Sequence, residues 1–600
     1  MNFKKFLNQI NFNPKEDRFY LSFLILFSTL LLICLIDFNL KLGIYCSDVL
    51  VYLTNALTFA GERVASSNTL YLSPVICFLT SILFRLGLKG EIAIYIVTGL
   101  FAIFGNIGLY LLLKNKFSPL LSLTGSVLFS SFSLNLLWLA NGTLDIPAVA
   151  LSIWVILFTI IAADKNEKFY LLAFPLWVIA FFTRYTVALI LPLMVLYFLF
   201  KFNFFYYLDL ILSDFSLFKK EFKSLLSTNR AKYFFKGIKI SFAILVLFLI
   251  LISLAGSPLS FLTQGSDVVS GDRGSVIDNA YTTDTWFYLH DFLNFLFAKK
   301  VIFDGNIPNL IGANPFAYLI IFILEFGLIL ALIALFSNKF DIADENDLLD
   351  SHLDFNSNSD SYNICFKSKL INNKTLAALA IISLFLSVLS FKINGISSVF
   401  FLLLFTLVLD SILKGNFESY SKEGYGLILL FMDWFLIYMV FFTFYDIKVN
   451  RYIITCLPAF VFFVVLALNY IYKFIFHVLN NDALSRKIVY LISILMILTC
   501  LFSAFGFTDS VEMNEEINSP KLMADYLIDY DANYSLKEVA NYNVRYYNWL
   551  LKMNTIPLVD ERLSYLDSSN ITYYISNNEV ELENYTMIHR ENNLYLYEHI

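Results

Sequence analysis

Two aspartates lie where long apolar segments of this chain give way to polar residues. Asp48 follows the first apolar run, in Cys46-Ser47-Asp48-Val49-Leu50-Val51-Tyr52, and Tyr52, Asn55 and Phe59 recur on its side at helical spacing. Asp145 sits in Asn141-Gly142-Thr143-Leu144-Asp145-Ile146-Pro147, a break between two apolar runs. A carboxylate near membrane depth costs about 2.5–3.5 kcal/mol on insertion scales, so it tends to be kept for use. Both also suit a plain helix start, where Asp and Pro are favoured. Together on one face, one carboxylate can take a proton from an acceptor hydroxyl while the other orients it or shares a divalent ion. The sequence leaves the need for such a cation open.

A leaving phosphate would need positive charge. Arg184 in Phe182-Thr183-Arg184-Tyr185 and Arg451 in Asn450-Arg451-Tyr452 are placed to supply it, with Arg63 and Lys89 as alternatives in the first loop. Each arginine would also serve by snorkelling to the interface. Tyr52, Asn55 and His290 are candidates for the substrate pocket, although His290 equally suits an ordinary interfacial position. No His/Cys cluster suggests a bound metal, and no P-loop or Gly-rich dinucleotide fingerprint appears. A nucleotide-sugar site on a soluble domain is therefore not expected.

The elements that must position these residues are membrane spans. The chain has 600 residues, 58% hydrophobic and 15% charged, with mean hydropathy +0.69. Many of its apolar runs approach the roughly 20 residues that cross a bilayer. Met1–Arg18 is polar and amphipathic, and the first span runs into Asp37 without a small-residue cleavage site, so no cleavable signal peptide is expected. Of the six cysteines, Cys34, Cys456 and Cys500 lie in apolar runs, while Cys46 and Cys77 share a loop and are spaced so that a bridge is conceivable.

Charge decides the topology. The segment 70–86 is apolar but short, begins with Ser73-Pro74 and ends near Arg85 and Lys89. If it does not cross, thirteen spans follow, at about 19–36, 91–113, 119–140, 145–163, 169–183, 185–200, 238–255, 316–336, 375–391, 396–413, 425–445, 452–473 and 488–507. The inside loops then carry 24 Lys and Arg against 11 in the outer loops; if it crosses, the balance is about 13 to 22. The first arrangement predicts a cytoplasmic N-terminus and an extracytoplasmic C-terminus. It also places Asp48, Asp145, Arg184, Arg451 and the large outer loop 256–315 on one face.

The domain reading is a membrane domain over 1–507, with a first outer loop at 37–90, and a small extracytoplasmic α/β domain over 508–600. In the outer loop, Thr285–Ile302 is aromatic and amphipathic, like a helix on the membrane surface. The stretch 201–237, rich in Lys and Phe, suits an inner surface of anionic lipid rather than nucleic acid. The polar run 341–363 reads as a solvated loop. In the tail, Ser519-Pro520 starts a helix, Leu536–Met553 has helical periodicity, and Thr572–Ser576 and Leu594–Glu598 are Tyr-rich candidate strands. Sequons at Asn533, Asn570 and Asn584 are compatible with an outer location.

Several landmarks resemble the GT-C superfamily of mainly α, polytopic membrane glycosyltransferases, and most of all its family 39 branch. That branch includes protein O-mannosyltransferases and the aminoarabinose transferase of lipid A. Asp48 with Tyr52 and Ala56, then Tyr71-Leu72-Ser73-Pro74 and Phe84-Arg85-Leu86-Gly87, is similar to the first outer loop of that branch. Leu144-Asp145-Ile146-Pro147 resembles its TDxP element, Phe182-Thr183-Arg184-Tyr185 its LTKY turn, and Arg451 through Ala459 its RYLLPLLPAL segment.

The resemblance implies a polyprenyl-phosphate-sugar donor, a lipid, glycan or protein acceptor, and transfer at the outer membrane face. It implies Asp48 as the catalytic carboxylate and Asp145 as a second acid. Four features depart from the pattern: no Glu adjoins Asp48, Pro74 is single, Arg184 replaces the usual Lys, and the tail 508–600 is not an MIR-type module. The competing expectations are a transporter or flippase of lipid-linked saccharides, which would use polar residues within spans such as Glu325 and Asp433, and a non-catalytic scaffold displaying its tail.

Overall fold

The computed structural model describes residues 13–62, 74–201, 204–254, 284–337, 373–391, 394–416, 424–445, 447–558 and 571–600, together with Leu563, Leu566 and Ser569. Arg63, the loop 341–363, Asn570 and the first part of the outer loop lie outside the described residues.

The first half of the chain is helical. The helices are α1 (Asp17–Leu42), α2 (Ser47–Ala60), α3 (Pro74–Arg85), α4 (Glu91–Lys114), α5 (Pro119–Ser131), α6 (Ser133–Trp138), α7 (Asp145–Asp164), α8 (Tyr170–Thr183), α9 (Ile190–Phe200), α10 (Phe204–Ser213), α11 (Phe215–Ser227) and α12 (Asn229–Leu254). Two short helices follow, α13 (Phe287–His290) and α14 (Phe292–Leu296), then a hairpin of β1 (Ala298–Asp304) and β2 (Ile307–Ala313). The bundle resumes with α15 (Pro315–Ser337), α16 (Asn373–Phe391), α17 (Gly395–Asn416), α18 (Tyr425–Phe444), α19 (Leu457–Leu479) and α20 (Asp482–Phe505).

Among the described residues ten helical stretches are long and apolar enough to cross a membrane, or eleven if the pair Tyr185–Phe200 and Phe204–Ser213, bent by 71°, counts as one. This is a multi-pass membrane protein. The thirteen expected spans all coincide with helical segments, but three are short or broken. The span expected at 119–140 breaks at Phe132, whose extended backbone separates α5 from α6. Those expected at 169–183 and 185–200 become α8 and a 3-10 turn running into α9. The segment 70–86 appears as α3, twelve residues and about 18 Å long. That is well short of a bilayer core of about 30 Å.

α2 and α3 pack against each other as a pair. Arg85 closes it by donating to the Phe59 carbonyl at 2.5 Å, and Lys89 pairs with Glu62 at 2.9 Å. Cys46 and Cys77 are not joined in a disulfide, so the conceivable bridge is absent. α4 and α7 pack closely because Gly105 faces Ala150, where an added Cβ would come within 2.8 Å of the alanine Cβ. Asp433, mid-span in α18, is buried and accepts from Thr406 Oγ1 at 2.7 Å. α11 buries no residue and leaves Phe215, Leu217, Phe222 and Leu226 exposed.

The surface helix expected over 285–302 is corrected. Only its first part is helical, and from Ala298 the chain enters β1. Val301-Ile302-Phe303 are strand formers, and the two-residue turn Gly305-Asn306, with Gly305 at φ +55°, returns the chain as β2.

Beyond α20 lies a small sheet with helices: α21 (Ser519–Tyr530), β3 (Val539–Asn541), α22 (Val544–Leu550), β4 (Ile556–Pro557), β5 (Tyr573–Ser576), β6 (Tyr585–Glu591) and β7 (Leu594–His599). Strand order is β4-β3-β5-β7-β6, with β3 parallel to β4 and β5, and the remaining pairs antiparallel. The helical reading of Leu536–Met553 holds only for α22, because Val539–Asn541 is drawn into the sheet between two parallel neighbours. The tail rests on the bundle: Glu512 N donates to the Val301 carbonyl at 2.9 Å, and the Trp549 ring stacks on Phe84 of α3 with centroids 6.0 Å apart.

Candidate active site

Every charged residue of the cluster stands at a break between elements. Asp48 lies in the first turn of α2 and Asp145 opens α7, so both carboxylates face helix N-termini, where the dipole favours negative charge. Arg184 separates α8 from the 3-10 turn Tyr185–Leu189, and Arg451 lies in the first turn of the 3-10 segment Asn450–Cys456. Such positions sit at the ends of rods. Here they are brought to the same end.

The loop 139–144 sets the position of Asp145. Asn39 of α1 donates to the Leu139 and Ala140 carbonyls at 3.1 Å each. Asn141 donates to Tyr45 Oη at 2.8 Å and accepts from Thr143 N at 3.0 Å, an Asx turn. Gly142 has φ +88°, and a Cβ there would lie 2.6 Å from Val49 Cγ1. Only glycine lets this loop lie against α2, which carries Asp48.

Arg451 joins the two acids. Its Nη2 donates to Asp48 Oδ2 at 2.9 Å, its Nη1 reaches Cys46 Sγ at 3.0 Å, and its Nε stands 3.9 Å from Asp145 Oδ2. Asp145, fully buried, also pairs with Arg184. Aromatic rings support both guanidiniums: Arg184 lies over Tyr452 at 5.0 Å and Arg451 over Trp138 at 5.4 Å. Trp138 donates to Asn450 Oδ1 at 3.0 Å, and Asn450 donates to the Pro308 carbonyl of the hairpin at 2.8 Å.

Asp48 differs from Asp145 in exposure, with 30% of its side chain reached by solvent. Burial acts to raise its pKa, but the Arg451 charge and hydrogen bond, then Arg545 and Arg184, outweigh burial and hold the carboxyl below its ordinary value. Burial and the Asp48 charge push the Tyr52 phenol well above its usual range. Burial likewise raises the Cys46 thiol despite Arg451. Of Asp48, Cys46 and Tyr52, the carboxylate is thus the group whose ionised form the surroundings favour.

The structure brings together Asp48, Asp145, Arg184, Arg451 and, beneath Asp48, the buried Tyr52. Asn55 instead faces α3, beside the buried Cys77 thiol. His290 is solvent-facing and pairs with Asp284 at 2.8 Å, and none of its described contacts reaches the carboxylates. Tyr288, two residues earlier, points inward: its hydroxyl donates to the Val449 carbonyl and accepts from Val449 N, both at 3.2 Å. Among the described residues no three His, Cys, Asp or Glu side chains gather as metal ligands.

Sequence reading missed Trp138, Tyr452 and Arg545. Tyr452 adjoins Arg451 and was within reach of a motif. Trp138 sits in an apolar run, and Arg545 belongs to a polar tail, where an arginine attracts no notice. Arg545 Nη1 stands 3.7 Å from Asp48 Oδ1 and 3.3 Å from Ser47 Oγ.

The whole architecture matches that of ArnT from Cupriavidus metallidurans bound to undecaprenyl phosphate, with TM-score 0.54 and 11% identity, over 96% of this chain and 98% of that one. The apo form of the same enzyme matches with TM-score 0.50 and 11% identity, over 96% and 97%. The fold is GT-C. A family model for dolichyl-phosphate-mannose-protein mannosyltransferase also matches residues 72–211, a stretch of the GT-C fold that contains Asp145 and Arg184 but neither Asp48 nor Arg451. No curated protein matches the sequence significantly.

Proposed function

We propose that this protein is a membrane glycosyltransferase that moves a sugar from a polyprenyl-phosphate carrier to an acceptor hydroxyl on a lipid, glycan or protein. The observation that carries the reading is Arg451 standing between Asp48 and Asp145, with Arg184 behind. Support comes from the fold shared with ArnT, whose structure holds undecaprenyl phosphate, and from the mannosyltransferase family model over 72–211.

Asp48, partly exposed, takes the acceptor proton as the acceptor oxygen forms its bond to the anomeric carbon. The bond from that carbon to the phosphate oxygen breaks, and the electron pair leaves with the lipid phosphate. Arg184 and Arg451 offset that charge in a site largely closed to water. Asp145 holds both guanidiniums in place and is a positioning residue. The cations are supplied by the chain, and the carboxylate oxygens face arginines, so the reading calls for no carboxylate-held divalent ion. The excess of Lys and Arg in alternate loops supports a cytoplasmic N-terminus, with the site and the tail on the opposite face.

The test is Asp48→Asn. The side chain is partly exposed and isosteric, so the variant inserts and folds, while sugar transfer from lipid-phosphate donor falls by about 10²–10⁴. Full activity in that variant removes Asp48 from the mechanism.

A further inference from the structure

The cluster carries three guanidiniums for two carboxylates. Two of them are shut in, Arg184 at 14% and Arg451 at 13% side-chain exposure, and each has an aromatic ring beneath it. The third, Arg545, is 53% exposed. Its distances of 3.7 Å to Asp48 and 3.3 Å to Ser47 exceed the 2.7–2.9 Å or so of a charge-assisted hydrogen bond. Its helix, by contrast, is firmly seated. Tyr546 accepts from Asn306 of the hairpin turn at 2.8 Å, Trp549 stacks on Phe84, and Asn543 caps the Arg545 amide at 3.2 Å. A fixed backbone thus carries a loosely held cation at the open side of the carboxylate.

We propose that Arg545, supplied by the C-terminal region, is a binding position for a phosphate group of the substrate, and that Asp48 holds it in reserve until that group arrives. A guanidinium meets a phosphate with two parallel donors, a better match than one distant carboxylate oxygen. When Arg545 turns to the phosphate, Asp48 Oδ1 loses its partner and is open to the acceptor hydroxyl. Binding of one substrate therefore prepares the base for the other. The groups facing Asp48 are Arg451, Arg545, Arg184, Cys46 and Tyr52, and of these Arg545 alone is more exposed than buried. The proposal rests on the glycosyltransferase reading for the identity of the phosphate, but its test does not use turnover.

The experiment measures binding by the full-length protein in nanodiscs, with undecaprenyl phosphate and with inorganic phosphate as separate probes. Arg545→Gln is expected to weaken one of them about tenfold, and Arg545→Lys to recover part of the loss. Loss for undecaprenyl phosphate assigns Arg545 to a lipid-borne phosphate; loss for inorganic phosphate alone assigns it to a soluble one. Unchanged affinity for both overturns the proposal. Asp48→Asn is expected to tighten binding several-fold more with Arg545 present than in Arg545→Gln, since the carboxylate then no longer competes. An additive cycle overturns the held-in-reserve relationship. Should Asp48→Asn still transfer sugar, it is the functional reading that fails, and these binding results stand apart from it.

Discussion

Arg451 donates to Asp48 across 403 positions of sequence, and its 2.9 Å bond ties the first short helix to the start of the α19 rod. The same guanidinium faces Asp145 at 3.9 Å through its Nε. The two carboxylates therefore share one cation, and changes at either acid differ in kind because only Asp48 meets solvent.

Removing the buried acid should cost stability. Asp145→Ala leaves Arg184 and Arg451 without their enclosed counter-charge, and breaking a buried pair costs about 3–5 kcal/mol. Thermal unfolding in detergent should show a large fall in Tm. The double variant Asp145→Ala/Arg184→Met should regain part of it.

Gly142→Ala should be far worse than Gly61→Ala. Both glycines have positive φ, +88° and +83°, but an added Cβ strikes Val49 only at Gly142; at Gly61 it meets nothing within 4 Å. Left-handed strain is common to both, about 1–3 kcal/mol. The extra penalty at Gly142 should displace Asp145 and cut transfer, while Gly61→Ala keeps most of it. Comparing Tm and rate for the two separates strain from collision.

The acid limb of activity should lie low. Asp48 has a native pKa below its unfolded value, so its contribution is complete above the ordinary carboxylate value near 4 and is lost as pH falls through the native value. The kcat/KM profile should therefore hold down to about pH 4. Arg545→Gln removes a cation and should move the limb upward. A limb unchanged in that variant would contradict the pairing.

Chelation should leave transfer intact. The arginines already offset the charge of a leaving phosphate, so a rate measured with excess EDTA should equal the untreated rate. Loss of activity restored by a divalent ion would show that a metal joins the carboxylates during turnover.

Much of this protein was legible as a series of apolar runs. Their length identified the spans, and the positive-inside bias kept 70–86 from crossing, a reading that α3 fits at twelve residues. Asp48, Asp145, Arg184 and Arg451 stood out because a charge at the end of an apolar run is costly and conspicuous. Asn55 did not follow Asp48 into the site, since a residue seven positions on lies two turns away and meets α3 instead. His290 and Tyr288 exchanged roles, because the short helices α13 and α14 do not extend the single regular helix that the aromatic spacing suggested.

The sequence by itself determined which residues lie at membrane depth and which elements carry them, since hydropathy and charge act locally along the chain. Tertiary structure alone decided which of these ends meet. The Gly142 loop had to press against α2, the hairpin had to hold Asn450, and the tail had to settle so that Arg545 reached Asp48. Those approaches are made by contacts between residues from 93 to 497 positions apart, and no local pattern records them.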